Sequence, residues 1–443
     1  MIDNYFEFNK KIIEFKKNNQ YKELLNHFKK NKLNFPKKQI ANDKYLIPNI
    51  LTALRKTNNS KYIDSFLTEF NIPINNKTNQ ILLNLYGWSI YDNIKNRYYN
   101  KNDILTNIKN IISILQEKND TYSNNIVSNI FRAGIQVSKE SQNRDFKFIK
   151  EFCELFDVQK LSEDCEIYNI KGKDVEQDSD KEKWYSEMSK SLFELEMYNN
   201  SFKFSKDALA NLNKFHFGNE LWLARRLALS KKYLGNLDEA ILDLEEIYLK
   251  KKDWFIKKEI AELYFESNDF EKSFENALIA INSKSKIEFK VSLIMLIGKI
   301  LKLKKEFALA KMHFLLVKQI RNNNSWKESL DLENELNSLE INIDDTNLLK
   351  HLNEYWNSFS KNDKESNNRN TQQDEIFSGY IKKILNENEK GKNGFIESKK
   401  GSYYFSIPSH IKLCIKIQKD KKVKFKIENQ KNGKQKAKIL KVF

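Results

Sequence analysis

The sequence predicts a mainly α protein: a solenoid of antiparallel helix pairs, followed by a small C-terminal barrel of five strands. Three observations point there. Apolar residues in 183–330 recur at three- and four-residue intervals, in a pattern that repeats every 33 to 39 residues. The chain of 443 residues has only 11 Gly and 4 Pro, too few for many short strands and tight turns. After residue 376 the periodicity switches from helical to alternating, and the charge changes with it.

Four segments of the helical region overlay. They hold Met188, Leu192, Tyr198, Ser201, Ser205 and Ala208; Leu227, Ala228, Gly235, Leu237, Ala240 and Leu244; Ile260, Ala261, Tyr264, Phe270, Ser273, Ala277 and Ala280; and Ile297, Gly298, Leu301, Phe307, Ala310 and Phe314. In each, a large residue at the turn (Tyr198, Leu237, Phe270, Phe307) is followed three residues on by a small one (Ser201, Ala240, Ser273, Ala310). A small residue early in the second helix lets the first approach closely, and the large one closes the end of the pair. Neither helix can bury its stripe alone, so neighbouring pairs must stack.

This order resembles the tetratricopeptide repeat (TPR) family, whose unit is two antiparallel helices with the same large/small scheme. The match departs from the family in two respects: the helix A glycine occurs only as Gly298, and the proline after helix B is missing. The resemblance implies a groove that receives a protein partner. Residues 1–160 read as irregular helical repeats, with a turn at Asn19-Gln20-Tyr21 and amphipathic runs at Ile104–Leu115 and Asn125–Val137. Residues 158–182 read as an acid-leaning connection, 183–359 as the TPR-like array, and 360–375, which lack any apolar side chain, as a flexible linker. The six tryptophans are expected in the core or between repeats, with a peptide-binding place in the concave groove as the alternative for any one of them.

The net charge of +17 is unevenly spread. Residues 376–443 hold 18 Lys, no Arg and 5 acidic residues, against 59 basic and 55 acidic in the rest. Strands are expected at Tyr380–Ile384, Gly394–Glu397, Tyr403–Ile407, Val423–Ile427 and Ala437–Val442, with turns at Gly401 and Asn432-Gly433. The run Gly379-Tyr380-Ile381-Lys382, then Gly394-Phe395-Ile396, then Tyr403-Tyr404-Phe405 resembles the cold-shock domain, an OB-fold barrel. That resemblance implies stacking of bases on aromatics of the second and third strands. Phe395 keeps one such position; Asn393 stands where the family has phenylalanine, and Lys383 where it has tryptophan. Either Tyr404, or Tyr403 with Phe405, would face the ligand.

Independently of the family, aromatics among lysines supply both terms of single-strand binding: stacking at about 1–3 kcal/mol per base, and phosphate neutralisation with counterion release. The expected contacts are Lys382, Lys383, Lys392, Phe395, Tyr403, Tyr404, Phe405 and Lys424, with single-stranded RNA or DNA as the ligand, RNA before DNA. The competing expectation is a pure protein–protein scaffold whose barrel has lost this role.

Motifs of chemistry are missing. No Gly-x4-Gly-Lys-Ser/Thr loop, His-Glu-x-x-His or Arg-x4-His pair occurs. The histidines (His27, His216, His313, His351, His410) sit at no ligand spacing, and Cys153, Cys165 and Cys414 match no disulfide or zinc pattern. No catalytic residue, cofactor or metal is assigned, and an enzyme is not expected. With neither a signal peptide nor a membrane span apparent, a cytoplasmic protein is the expectation.

Overall fold

The structure is a computed structural model. It describes residues 4–139, 144–344, 347–370, 376–409, 413–429 and 435–443, with side chains omitted at 360–370 and 429. The expected turn at Asn432-Gly433 and residues 371–375 of the expected linker lie outside this set. The chain divides into two compact units, Met1–Leu227 and Ala228–Phe443.

The first unit contains α1 (Tyr5–Lys17), α2 (Tyr21–Asn31), α3 (Lys37–Ala41), α4 (Leu46–Lys56), α5 (Ile63–Glu69), α6 (Gln80–Lys95), α7 (Lys101–Lys118), α8 (Thr121–Lys139) and α9 (Phe146–Cys153). The hairpin β1 (Ile167–Ile170) and β2 (Lys173–Glu176) follows, then α10 (Asp180–Glu194) and α11 (Tyr198–Asn211). The helix α12 (Asn219–Tyr233) crosses the division between the units. Asparagine side chains start several of these helices; at α7, Asn100 and Asp103 cap each other's backbone N–H groups in a capping box. Residues 158–182, expected as a plain connection, contain the hairpin, which Asn169 and Gly172 turn: the Asn169 side chain accepts from Gly172 N–H at 3.0 Å.

The second unit continues with α13 (Leu237–Lys250), α14 (Trp254–Glu266), α15 (Phe270–Ile281), α16 (Val291–Leu303), α17 (Phe307–Asn323), α18 (Leu330–Asn337) and α19 (Leu348–Asn370). Residues 360–370 of the expected linker therefore continue a helix. Extending a helix that is already anchored avoids the cost of nucleation.

The large turn residues Tyr198, Leu237, Phe270 and Phe307 each begin the second helix of a pair. Two residues before each lies a left-handed residue: Glu196, Gly235, Asn268 and Lys305. The earlier turn has the same geometry, with left-handed Asn19 before Tyr21. The small residues pair across each hairpin at a constant separation: Ser189 with Ser201, Ala228 with Ala240, Ala261 with Ser273, and Gly298 with Ala310, all buried. Ser201 Oγ donates to the Ser189 carbonyl at 2.9 Å, and Ser273 Oγ to the Ala261 carbonyl at 2.8 Å. The same bond in two repeats explains why serine can replace alanine here: its hydroxyl is satisfied by the helix it abuts. The fold is thus TPR-like.

The barrel comprises β3 (Phe377–Asn388), β4 (Gly391–Ser398), β5 (Gly401–Pro408), α20 (Leu413–Lys416), β6 (Lys422–Asn429) and β7 (Gln435–Val442). Its strands close in the order β3-β4-β5-β7-β6, with β3 pairing β6 antiparallel and β5 pairing β7 parallel. That is the OB-type Greek key. Ile381, Ile396, Phe405, Val423, Phe425 and Ile439 fill it, with Cys414 from α20. At Gly394 a β-carbon would lie 2.0 Å from the Lys383 carbonyl, so the bulged β3 can pass only a glycine there.

Candidate nucleic-acid interface

Strand alternation decides which aromatics face outward. Phe395 on β4 lies opposite Tyr404 on β5, and their rings meet edge to face at 5.8 Å and 69°. Both are half-buried. Their neighbours along the strands, Ile396 and Phe405, point into the core, where Phe405 is only 1% exposed. Tyr403 leans inward too, 5.6 Å from the Phe425 ring. Of the two registers left open by sequence, the structure places Tyr404 with Phe395 on the outer face. Phe405 is a core residue, because residues i and i+1 of a strand cannot share a face.

Tyr380 on β3, opposite Glu397, extends this face and is 44% exposed; sequence reading passed over it as a strand start. Lys383 lies opposite Phe395 and is exposed. Lys436, opposite Tyr404 on β7, is a further neighbour not singled out before. Its signal was the alternation of Lys436, Ala437, Lys438 and Ile439 at the start of the last strand.

The remaining expected lysines have protein partners. Lys382 Nζ lies 2.6 Å from Glu397, which raises its ammonium pKa. Lys392 is held by Glu387 at 2.8 Å and donates to the Ile417 carbonyl at 3.0 Å, so it acts as a strut between a strand and the α20 turn. Lys424 lies on β6, away from the β4–β5 aromatics, and pairs with Glu246 of α13. Desolvation, then the adjacent Lys441, lowers its pKa.

Lys424 belongs to a second feature, unreadable in the sequence. The basic β6–β7 face meets the acidic side of α13 within the same compact unit. Lys426 Nζ is 3.0 Å from Glu245, Lys441 Nζ 3.2 Å from Asp243, and Lys416 Nζ 3.8 Å from Glu239. Asp243 also receives Lys231 at 2.5 Å. The acidic pair Glu245-Glu246, taken alone, looks like ordinary solvated helix charge; its partners lie some 180 positions away in sequence. Part of the barrel's positive charge is therefore neutralised inside the protein, and the lysines that pair with α13 lie on α20, β6 and β7 rather than on the aromatic β4–β5 face.

No protein-family model matches the chain, and no curated protein does. Among solved structures it is similar to the human IFIT1 dimer with PPP-AAAA, at 14% identity over 75% of this chain and 72% of that one, with a TM-score of 0.32. A tetratricopeptide repeat protein from Parabacteroides merdae is 13% identical over 75% of this chain and 97% of its own, with a TM-score of 0.31. The APC/C Cut9–Hcn1 assembly is 11% identical over 68% of this chain and 52% of its own, with a TM-score of 0.32. Among the described residues, no helix is long and apolar enough to cross a membrane.

Proposed function

We propose that the protein is a non-enzymatic adaptor: its TPR-like repeats receive a protein partner, and the outer β4–β5 face of its barrel binds single-stranded nucleic acid, RNA in preference to DNA. The supporting observation is the Phe395–Tyr404 pair, which lies on the two strands that serve oligonucleotides in OB barrels, with Tyr380 and Lys383 alongside. Of the expected contacts, Phe395, Tyr404 and Lys383 carry this reading, and Lys382 joins them at the edge. Neighbouring lysines would neutralise phosphates while the rings stack bases of any sequence.

The test is fluorescence anisotropy of the full-length chain with labelled single-stranded RNA and DNA over a salt series. Micromolar or tighter binding with a steep salt slope supports the reading. No binding at low salt overturns it.

A pure protein scaffold is the second reading. It is favoured by the carboxylates that already occupy Lys382, Lys392, Lys424, Lys426 and Lys441. Under it, every partner remains associated after nuclease treatment.

A further inference from the structure

Three side chains distant in sequence meet beside the β1–β2 hairpin. Cys165 precedes β1, Glu176 ends β2, and His216 lies in the loop between α11 and α12. One donor atom from each lies within 4.8 Å of the others. The hairpin fixes two of them: β1 and β2 pair antiparallel, and Gln177 N–H donates to the Glu166 carbonyl at 2.8 Å, which keeps 165 beside 176.

His216 is 8% exposed and tightly oriented. Its Nδ1 lies 2.7 Å from Glu182, itself 1% exposed in the first turn of α10. The same carboxylate accepts from the His216 backbone N–H and from Asn219 Nδ2, each at 2.7 Å. A carboxylate fixed by two other donors holds the proton on Nδ1 and leaves the Nε2 lone pair on the opposite side. There Nε2 is buried without a hydrogen-bond partner, with a Glu176 oxygen 3.4 Å away. A buried imidazole oriented by a carboxylate, with its second nitrogen aimed at a thiol and another carboxylate, has the donor chemistry of a zinc site.

We propose that Cys165, Glu176 and His216 bind one Zn²⁺ ion, with Glu182 as a positioning residue and water as the fourth ligand. Zinc bonds of about 2.0–2.3 Å require the donors to draw somewhat closer, a movement that the half-exposed Cys165 and Glu176 can make. Lys214 holds, at 2.5 Å, the same Glu176 oxygen (Oε2) that lies nearest His216 Nε2, so metal binding would require the half-exposed carboxylate to turn its Oε1 towards the ion or to release the exposed Lys214. Binding expels the Cys165 thiol proton to solvent, so affinity rises with pH. The ion would pin the hairpin to the α11–α12 loop. The metal-free alternative is an imidazolium ion held between Glu182 and Glu176.

The experiment uses the full-length chain, stripped with chelator and titrated with Zn²⁺ alone or Co²⁺ alone. One equivalent of Zn²⁺ is expected, and Co²⁺ should give a thiolate-to-cobalt charge-transfer band with tetrahedral d–d absorption. Cys165→Ser, which leaves the buried groups untouched, should abolish the charge-transfer band. Glu182→Gln should weaken Zn²⁺ about 10–100-fold. Cys153 and Cys414 are buried, so Zn²⁺ should also slow alkylation of the one accessible described thiol. A cobalt spectrum without the charge-transfer band, or Zn²⁺ affinity unchanged in Cys165→Ser, overturns the proposal in favour of the imidazolium.

Discussion

Trp356 Nε1 donates a 2.9 Å hydrogen bond to His313 Nε2. The other ring nitrogen, Nδ1, lies 2.7 Å from the Leu309 carbonyl, one turn back on α17. With Nε2 accepting and Nδ1 donating, the imidazole is neutral. His313 is fully buried, and Trp356 seals the last helix of the array against it.

This pair predicts a pH response. Burial lowers the His313 pKa from 6.5 to about 4. The unfolded state thus binds more protons between these values, so the stability is fully present above pH 6.5 and is lost as pH falls towards 4, a loss on the order of 3 kcal/mol. The protection factors of the α17 and α19 amides, which remove the intrinsic pH dependence of exchange, should fall as pH drops over this window in the native chain. His313→Gln keeps a donor and an acceptor but cannot titrate; if its protection shows the same pH dependence, His313 is not the cause.

Gly298 predicts a repeat-specific packing limit. A β-carbon there would lie 2.5 Å from the Phe314 ring. Gly298→Ala should therefore destabilise the α16–α17 pair by about 1–3 kcal/mol through overpacking. At the equivalent positions α12–α13 carries Ala228 and Leu244. Adding Phe314→Leu should therefore restore part of the loss, read as a favourable coupling in a double-mutant cycle of denaturant midpoints.

The barrel aromatics should separate into two classes. Phe395→Ala and Tyr404→Ala should each weaken single-strand binding by about 1–3 kcal/mol while leaving the fold intact. Phe405→Ala should instead cost about 3–5 kcal/mol of barrel stability by opening a core cavity. Anisotropy together with circular dichroism of each variant distinguishes them, and equal loss of fold in all three would refute the assignment of faces.

Contact between α13 and the barrel should depend on salt. Lys426 and Glu245 are both largely covered, yet each such pair contributes only about 0.2–1 kcal/mol. Combining Asp243→Asn, Glu245→Gln and Glu246→Gln should raise amide exchange in β6 and β7, as should high ionic strength in the native chain. Binding at the Phe395–Tyr404 face should be unchanged by the triple variant.

Much of the architecture was legible because it rests on local periodicity. The large/small pairs at Tyr198/Ser201, Leu237/Ala240, Phe270/Ser273 and Phe307/Ala310 specify helix hairpins wherever they occur, since close approach demands small side chains. Strict alternation in Val423–Ile427 and its neighbours specified strands, and a period of two sets which residues share a face once a single anchor is known. That anchor was missing for Tyr403-Tyr404-Phe405, because each residue is apolar enough for either side.

By itself, then, the sequence determined helix pairs, a basic barrel and their order along the chain, all consequences of spacing between near neighbours. Tertiary structure alone decided the rest. It turned Tyr404 outward and Phe405 inward, since pairing with β4 fixes the register. It spent Lys424, Lys426 and Lys441 on α13, and it gathered Cys165, Glu176 and His216 around one point. Charge pairs and donor clusters form between residues brought together by the fold, and no local pattern records that proximity.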